Sequence, residues 1–421
     1  MMILAFLLLL LFSTPAYAQG VAVVKSAAPT SNGGTQDFTV TGFGTPVCAM
    51  FFLSYGTING TAVDNAMLSF GFSDFTNHRG IAHVSEDSGT TTDTMSQRAT
   101  TLITLLHTDQ STDGTATAST ITDGVRLTWA DAPPSAYLVT AVMFNASMFS
   151  NCTVGTLTPN GSVDATASVS GLGWQPDLVL AAYAGSTTSA RTSFGMALND
   201  GGVVQYSAGQ AHTTALATTS PTSAMLSNRI AFNGLSLSTV ASYELTSFDS
   251  GGFTLTTRDN TTAVNAVYYL AGKLAVGASA KLATCTSPTA TGAHSCTGAG
   301  FTPTGASMSH TAAAALNTLE IDGDAETYGL SAFTSTTQSF SGISDDDNVA
   351  AADTASMTST NPIRMIKDAA DYMVATFTGW QSDGVDLNYT TTNGTARYRA
   401  VLFLKGVASA ATRRGRPIFF Q

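Results

Sequence analysis

The stretch SDGVDLNY, residues 382–389, is a turn that runs directly into a strand. Gly384 supplies the permissive backbone that a tight reversal needs. After this glycine, Val385, Leu387 and Tyr389 alternate with polar residues, so an extended chain places the three apolar side chains on one face. The stretch therefore predicts a half-buried β-strand entered through a tight turn.

This turn and strand form one of four landmarks that occur three times in the same order. The copies of the turn and strand are TDGVRLTW (122–129), SFDSGGFTL (247–255) and SDGVDLNY (382–389). The copies of an earlier Gly-aromatic-Pro step are GFGTPV (42–47), GLGWQPDLV (171–179) and GAGFTPTG (298–305). The copies of an aromatic-glycine strand are SFGFS (69–73), SFGMA (193–197) and TYGLS (327–331). The copies of an apolar closing strand are AYLVTAVMF (136–144), NAVYYLAG (265–272) and ARYRAVLFLKG (396–406).

The spacing of the landmarks predicts three tandem domains. Pro46, Pro176 and Pro303 lie 130 and 127 residues apart in the sequence. A period near 130 is the size of an independent domain, and it is too long for a solenoid repeat. We therefore expect domains at 19–150, 151–273 and 274–407, each folding as a separate bead with its own core.

The predicted fold class is all-β, with three tandem sandwiches of jelly-roll or concanavalin-like type. Short runs rich in Val, Thr, Phe and Tyr are separated by clusters of Gly, Asn, Asp or Ser, which is typical of strands and turns. The closing strand of the third copy is apolar on both faces at 401–404, which predicts a central strand covered on both sides. A helix is expected only near 363–370.

Export is predicted from the first 18 residues. The apolar run at 3–12 is too short to span a bilayer as a helix, which needs about 20 residues. It ends in Ala16-Tyr17-Ala18, a pattern typical of signal-peptidase cleavage after Ala18. Residues 1–18 are interpreted as a signal peptide, with an uncleaved anchor as the alternative, and no membrane association is expected after cleavage.

The composition favours a folded chain with an uncharged, hydroxyl-rich exterior. Charged residues make up 11% of the 421 residues, against about 25% in a typical domain. Such a surface has little charge repulsion between copies, which suits a protein packed in an assembly. The net charge of −11 argues against nucleic-acid binding. The one basic cluster, Arg413, Arg414 and Arg416, lies in the tail 408–421. We interpret this tail as a solvated segment, with a processing or docking signal as the alternative.

Four cysteines in an exported chain predict two disulfides rather than a metal site. Three pairings are possible, and we favour Cys48 with Cys152 and Cys285 with Cys296. The first bond would tie the opening strand of the first repeat to the segment that leaves its last strand. Closing a loop of that length stabilises the fold by up to about 4.7 kcal/mol. The second bond would close a short local loop.

At GLGWQPDLV, SFDSGGFTL and NAVYYLAG the chain resembles a repeat domain of bacteriophage virion and tail-fibre proteins. The recurring pattern of that domain is GF-x-P-D-x-V, then S-x-D-x-x-GF-x-L, then N-x-x-x-Y. The resemblance covers 171–272 best, the third copy in part and the first weakly, since only Pro176 is followed by the acidic residue. It implies a concanavalin-like sandwich used as a structural or receptor-facing module, with no catalytic residues to carry over. Because most tailed-phage structural proteins assemble in the cytoplasm, the signal peptide indicates either a host surface or filament protein or a viral protein that crosses the membrane.

Two acidic segments are candidate cation sites. In LEIDGDAETYG, Glu320, Asp322, Asp324 and Glu326 alternate, so one extended strand would place all four carboxylates on one face. We interpret this pattern first as an acidic edge strand that resists pairing. The alternatives are calcium binding, or the acid and nucleophile of a polysaccharide-cleaving enzyme.

The second segment, SDDDNVAAAD, is interpreted first as a hydrated loop. Calcium is the alternative there and the only cofactor considered. The candidate metal ligands in the two segments are Asp322, Asp324, Glu326, Asp345 and Asp347.

The remaining motifs favour a protein without catalysis. The chain has no nucleophile elbow, Walker loop, GxGxxG after a strand or HExxH, and His78 and His83 are expected at the surface. Trp174 and Trp380 are candidates for a platform that stacks on sugars. The equivalent positions of Trp129 and Tyr389 in the repeated strand instead favour core packing.

The sequence therefore predicts a non-enzymatic structural protein of an extracellular assembly, on a virion or cell surface or in a tail-fibre-like filament, that associates with itself. A secreted carbohydrate-binding adhesin is the alternative, with surface glycans as partners. A polysaccharide-cleaving enzyme is a third hypothesis.

Overall fold

The computed structural model describes residues 20–87, 93–185, 189–214, 216, 221–233, 241–259, 265–320, 326–345, 354–367 and 370–407. Every regular element in these ranges is a β-strand. None of the described residues belongs to a helix of the length and hydropathy that would cross a bilayer. The predicted signal peptide and basic tail lie outside the described residues.

The strands fall into three consecutive groups. The first group is β1 (Val21–Ala27), β2 (Thr35–Thr39), β3 (Pro46–Ser54), β4 (Ala62–Asp64), β5 (Ala66–Ser73), β6 (His78–Ser85), β7 (Thr94–Ala99), β8 (Ile103–Leu106), β9 (Thr112–Ile121), β10 (Gly124–Asp131) and β11 (Leu138–Asn145). The second is β12 (Phe149–Leu157), β13 (Thr166–Val169), β14 (Leu178–Ala184), β15 (Ser189–Asn199), β16 (Val203–Thr213), β17 (Thr222–Leu226), β18 (Ala231–Asn233), β19 (Ala241–Asp249), β20 (Gly252–Asp259) and β21 (Val267–Leu274). The third is β22 (Ser279–Thr286), β23 (Gly292–Thr297), β24 (Gly305–Thr311), β25 (Leu319–Glu320), β26 (Glu326–Thr334), β27 (Gln338–Asp345), β28 (Thr354–Ser359), β29 (Ile363–Lys367), β30 (Ala370–Gln381), β31 (Gly384–Thr391) and β32 (Tyr398–Lys405).

These strands build a long and a short sheet in each group, and the same strand order occurs three times. The long sheets are β1-β11-β3-β5-β6-β7, β12-β21-β14-β15-β16-β17-β25 and β22-β32-β24-β26-β27-β28-β4. The short sheets are β2-β10-β9-β8, β13-β20-β19-β18 and β23-β31-β30-β29. Each short sheet packs on one long sheet around its own apolar core. We call these sandwiches units 1, 2 and 3 in chain order.

The chain is therefore all-β, and its sheets form sandwiches, as the sequence predicted. The predicted boundary at 150/151 falls inside β12, and the boundary at 273/274 falls before the last residue of β21. The jelly-roll or concanavalin-like type stays a prediction.

The glycine of the repeated turn and strand is required by a backbone contact. Gly124, Gly252 and Gly384 each begin a strand that pairs with the first strand of its short sheet. A Cβ atom at these glycines would lie 2.0, 1.8 and 2.0 Å from the carbonyl oxygens of Phe38, Val169 and Cys296. Any other side chain would force the two strands apart, so glycine is required at this position of the repeated turn and strand.

The aspartate of the turn ties it to the Gly-aromatic-Pro step. In unit 1 the Asp123 carboxylate accepts hydrogen bonds from the backbone N–H groups of Gly42 at 2.9 Å and Gly44 at 2.8 Å. In unit 3 Asp383 accepts the same pair of bonds from Gly298 and Gly300, at 3.2 and 2.5 Å. Two landmarks far apart in the sequence are thus parts of one capped loop.

The strand faces follow the predicted alternation. Val385, Leu387 and Tyr389 are buried, and they lie in the core between the sheets of unit 3. The closing strand β32 is covered on both faces, as predicted. Its residues Val401 and Phe403 belong to the core of unit 3, whereas Leu402 and Leu404 belong to a second cluster outside the sandwich.

That second cluster joins all three units. It combines side chains from the outer faces of the three long sheets, such as Phe52 of unit 1, Leu180 of unit 2 and Leu330 of unit 3. The expectation that each domain is a separate bead with an independent core is therefore wrong. The long sheets carry apolar residues on both faces, so each unit must also bury its outer face against the other two.

The helix expected near 363–370 is also wrong. Residues 363–367 form β29, which pairs with β30 and has a bulge between Met365 and Ile366. Ile363, Met365 and Ile366 are all fully buried. Ile363 and Met365 lie in the core of unit 3, whereas Ile366 packs in a second cluster with Ala355 and Met357 of β28. Because both faces of the strand are covered by apolar contacts, the sequence lacks the alternation of a half-buried strand and imitates helical spacing.

The aromatic-glycine landmark is displaced in the third copy. Gly71 pairs with Phe51 and Gly195 pairs with Ala181, each five residues after the landmark proline by sequence number. Gly329 pairs with His310, seven residues after its proline. A shift of two residues keeps every side chain on its face, so the aromatic residue still points into the central cluster.

The glycine requirement is testable at adjacent positions of unit 2. We expect Gly252→Ala to destabilise the chain by at least about 1–3 kcal/mol, since an added Cβ collides with the Val169 carbonyl. Gly251→Ala is the matched control, because a Cβ there meets only a backbone atom at 3.9 Å. Chemical denaturation of both variants measures the difference, and equal stabilities would contradict the backbone-contact argument.

Candidate functional site

The candidate functional site is the junction where the three units meet. At its centre are the aromatic side chains of the aromatic-glycine landmark, Phe70, Phe194 and Tyr328, all fully buried. The Phe70 ring lies 5.8 Å from the Phe194 ring and 6.4 Å from the Tyr328 ring, both in edge-to-face geometry. One landmark from each copy therefore contributes one ring to a shared centre.

Strand exchange closes the junction at the edges of the long sheets. β4, from a loop of unit 1, pairs with the edge strand β28 of unit 3. β25, from the corresponding loop of unit 3, pairs with the edge strand β17 of unit 2. An exposed edge strand is a template for further pairing, so each exchange removes one site of uncontrolled association.

The third edge is met by side chains instead of a strand. The backbone N–H groups of Ala190 and Arg191 in unit 2 donate to the hydroxyl oxygens of Thr94 and Ser96 in β7, each at 3.2 Å. The contacts between units thus run in a circle, from unit 1 to unit 3, from unit 3 to unit 2 and from unit 2 to unit 1.

Hydroxyl side chains line the inside of this junction. The Thr140 hydroxyl of unit 1 and the Ser339 hydroxyl of unit 3 are hydrogen-bonded at 2.5 Å, and both are buried. Ser54, Ser69, Ser207 and Ser341 of the long sheets are also fully buried. The predicted hydroxyl-rich exterior therefore explains only part of the composition, because small polar residues also let the sheets approach each other.

The disulfides agree with the favoured pairing. Cys48 in β3 of unit 1 joins Cys152 in β12 of unit 2, with Cα atoms 6.3 Å apart, so this bond links two units. Cys285 joins Cys296 within unit 3, with Cα atoms 5.5 Å apart, and links its long and short sheets. No cysteine is free, and this indicates an oxidising setting for the folded chain.

A polar group from each unit meets beside the aromatic centre. His83 of unit 1, His212 of unit 2 and Asp345 of unit 3 are all fully buried. The Asp345 carboxylate lies 3.5 Å from Nδ1 of His212 and accepts a hydrogen bond from the Gln210 amide at 3.0 Å. Nδ1 of His83 is 3.2 Å from the Thr192 hydroxyl of unit 2. The expectation that His83 lies at the surface is wrong, because β6 is covered on its outer face by another unit.

Burial controls the charge of this group. The pKa of His83 is lowered to about 4, mainly by burial; Asp345 opposes the shift and the nearby His212 adds to it. His83 is therefore neutral at pH 7. In unit 3, burial and the Arg399 guanidinium also hold the pKa of His310 well below its usual range.

Of the candidate calcium ligands, Glu326 and Asp345 lie opposite each other on the paired strands β26 and β27. One Asp345 oxygen accepts a hydrogen bond from the Gln210 amide, and a calcium site here stays a prediction. Glu320 lies in β25, within the long sheet of unit 2, and Glu326 begins β26 of unit 3. Glu320 and Glu326 therefore do not share one strand face as predicted, because they lie in different sheets. Asp322, Asp324 and Asp347 lie outside the described residues.

Glu320 is engaged in an internal ion pair. Its carboxylate is 3.0 Å from the guanidinium of Arg397, which is buried. The Glu320 side chain is only 15% exposed, and its carboxylate is engaged by this contact within the chain. The pair therefore gives no support to the catalytic hypothesis for this segment.

The tryptophans divide between core and partly covered positions. Trp129 is fully buried, and its indole N–H donates to the Gln36 side chain at 3.1 Å, as expected for core packing. Trp380 stacks on Phe333 with ring centroids 5.5 Å apart, and Trp174 packs against the core of unit 2. A sugar platform at Trp174 and Trp380 stays a prediction.

Comparisons with known proteins give no family for the chain. No protein-family model and no curated protein matches it. Among solved structures, the fructofuranosidase from Schwanniomyces occidentalis complexed with fructose aligns at 8% identity, over 93% of this chain and 100% of that one, with a TM-score of 0.16. A score this low carries no argument about fold or function.

The shared centre predicts cooperative unfolding. We expect calorimetry to show one transition for the three units, and Phe70→Ala to lower that whole transition, with a loss of about 3–5 kcal/mol for a buried aromatic residue. Val276→Ala, at a position that is 99% exposed, is the control and should leave the transition unchanged. Three separable transitions, with only one shifted by Phe70→Ala, would contradict the shared core.

The buried histidines predict acid sensitivity. The unfolded chain binds a proton at His83 near pH 6.5, while the folded chain binds it only near pH 4. Stability should therefore fall as the pH is lowered from about 6.5 to 4, by on the order of 3 kcal/mol for this residue.

The test compares urea denaturation at pH 7.5 and pH 4.5. His83→Asn keeps a polar partner for Thr192 but cannot titrate, so we expect it to lose less stability on acidification than the parent chain. His107→Asn, in an exposed loop, should behave like the parent. An undiminished acid loss in His83→Asn would rule out His83 as a source of the sensitivity.

Proposed function

We propose that the chain is a non-enzymatic structural protein of an extracellular assembly, on a virion or cell surface or in a fibre or filament. The observation that carries this proposal is the closed junction. Three sandwiches within one chain bury their outer faces in a single centre, exchange edge strands and are joined across two units by a disulfide. This construction favours a rigid, durable block over a mobile or catalytic scaffold.

Self-association of such a block would use its outer faces. Two long-sheet edges, β17 and β28, are already occupied by strands of neighbouring units. The large apolar side chains exposed in the described residues, Ile58, Val163 and Val276, are isolated positions in different loops. Assembly is therefore proposed to occur through broad, weakly charged faces, where the low charge content gives little repulsion between copies.

The alternatives have weaker support. Trp380 stacks inside unit 3, so a glycan site on that residue would have to use the ring's remaining edge. Glu320 is paired with Arg397, which disfavours a polysaccharide-cleaving role. Export through the signal peptide and a position on a virion or cell surface belong to this proposal, with the disulfides as their support.

Sedimentation and negative-stain microscopy of the exported chain test the proposal. We expect ordered oligomers or filaments at high protein concentration. Because weakly charged faces carry the association, raising the salt from 0.15 M to 1 M, where charge interactions are screened within about 3 Å, should leave the particles intact. A chain that stays monomeric over the full concentration range, or forms only amorphous aggregates, would refute the proposal.

A further inference from the structure

Unit 1 contains an open cleft of about 360 Å³ where β4, the loop after β8 and the segment before β11 come together. Its walls include Tyr55 and Tyr137, with Val63, Asp64, His107 and Asp113 around them. The volume lies within the range of small-ligand sites, roughly 300–1,000 Å³. One of its walls, β4, also pairs with β28 of unit 3.

The cleft combines aromatic rings with negative charge. The rings of Tyr55 and Tyr137 lie 5.3 Å apart in tilted geometry. Burial raises the pKa of the Asp113 carboxyl, His107 opposes that shift, and the negative charges of Asp131 and Asp109 add to it. Among the residues that line the cleft there is no lysine or arginine. A cation entering the cleft would therefore meet carboxylates that have no lysine or arginine partner there.

The corresponding position in unit 3 shows how the fold fills this niche. The two closing strands start in the same way, since Leu138 donates to the Gly56 carbonyl and Tyr398 donates to the Ala313 carbonyl, each at 2.9 Å. By this register Tyr137 of unit 1 corresponds to Arg397 of unit 3. The repeated-strand residues Trp129 and Tyr389 pair with Ala116 and Ala375. Three residues before these partners lie Asp113 and Tyr372, which therefore correspond to each other. The niche that is open in unit 1 is thus occupied in unit 3 by an arginine of the chain.

Arg397 is held there as a bound guanidinium would be. It is 3% exposed, it donates to the Tyr372 hydroxyl at 2.6 Å and to the Glu320 carboxylate at 3.0 Å, and its guanidinium carbon lies 5.7 Å from the Tyr372 ring centroid. It also donates to the Ala312 carbonyl, which stands where unit 1 has Tyr55. A carboxylate and an aromatic ring are the two groups that bind guanidinium best.

In unit 2 the corresponding residue also contacts a guanidinium. There the residue that corresponds to Tyr137 is Asn265, and Arg98 of unit 1 donates to its side-chain oxygen at 2.9 Å and to the Ala266 carbonyl at 3.4 Å. An arginine of the chain thus occupies the niche in unit 3 and binds the corresponding residue in unit 2. Unit 1 instead has an aromatic pair, an aspartate and open space.

We propose that the cleft of unit 1 binds an organic cation, a guanidinium or alkylammonium group, between Tyr55, Tyr137 and Asp113. The ring pair supplies cation–π attraction and Asp113 supplies the counter-charge, in place of the tyrosine and glutamate that hold Arg397. Two sources of such a cation are a small molecule and the arginine-rich tail 408–421 of another copy. The tail lies outside the described residues and enters only as one arm of the test.

Calorimetric titration of the full chain at low salt tests the site with arginine amide. We expect a dissociation constant on the order of 1 mM, as is typical of a single charged group. Citrulline amide has nearly the same shape without the charge, and it should bind at least tenfold more weakly. Equal binding of the two amides, or no measurable binding of arginine amide, would overturn the proposal.

Variants locate the site. Asp113→Asn removes the charge at constant size and should weaken binding at least tenfold. Tyr137→Arg supplies the plug that unit 3 carries and should abolish binding. Asp164→Asn, which removes an exposed carboxylate of unit 2, is the control and should bind like the parent. Loss of binding in the control, or retention in both site variants, would place the cation elsewhere and refute this site.

A synthetic peptide of residues 408–421 distinguishes the two sources. Binding at least tenfold tighter than arginine amide, and lost in Asp113→Asn, supports the cleft and identifies the tail as its ligand. Peptide binding no tighter than arginine amide supports the cleft as a site for small organic cations. Peptide binding that persists in Tyr137→Arg would contradict the assignment to this cleft.

Discussion

The outer faces of the three long sheets cannot be exposed to water, and this constraint decides the architecture. Each of these faces carries large apolar side chains such as Phe52, Leu180 and Leu330, which lie in one cluster. Burial of apolar area contributes about 25 cal/mol per Å², so three faces that cover one another stabilise the assembly as a whole. Strand exchange and the disulfide between Cys48 and Cys152 then act on an arrangement that the apolar faces already require.

Polar groups inside this centre make the arrangement selective. Apolar faces alone pack in many registers, whereas polar contacts join specific positions of different units. Nδ1 of His83 lies 3.2 Å from the Thr192 hydroxyl, and the Asp345 carboxylate accepts a hydrogen bond from the Gln210 amide. A buried polar group without its partner costs roughly 1–3 kcal/mol, so a slipped register would leave several such groups unpaired. His83 also makes the centre sensitive to acid, because this buried neutral histidine must gain a charge in a poorly solvated place.

Much of the local structure could be predicted from the sequence, because it depends on residues close together in the chain. The repeated turn and strand, the alternation at Val385, Leu387 and Tyr389, and the pairing of Cys285 with Cys296, 11 residues apart, belong to this class. The pairing of Cys48 with Cys152, 104 residues apart, is instead inferred from the repeat pattern. The shared centre could not be predicted. A strand that is apolar on both faces has the same sequence pattern whether a helix, a sheet or another unit packs against its second face. The strand at 363–367 was hidden because both of its faces are covered, with Ile363 and Met365 in the core of unit 3 and Ile366 in a second cluster. His83 gave no signal of its burial, and the cleft at Tyr55 and Tyr137 combines segments about 80 residues apart whose meeting depends on the fold.

Placing three copies in one chain has a consequence that a trimer of identical chains would lack. In a symmetric trimer the three equivalent niches would hold the same residues, so all would be plugged or all would be open. Here the matching positions have diverged to Tyr137, Asn265 and Arg397. The units can therefore keep a common junction while these positions differ in role. In units 2 and 3 the position takes part in an arginine contact within the chain, whereas in unit 1 it lines an open cleft. Divergence of this kind is possible because Tyr137 packs in the core of unit 1 rather than in the central cluster, so the apolar centre does not fix the residue at this position.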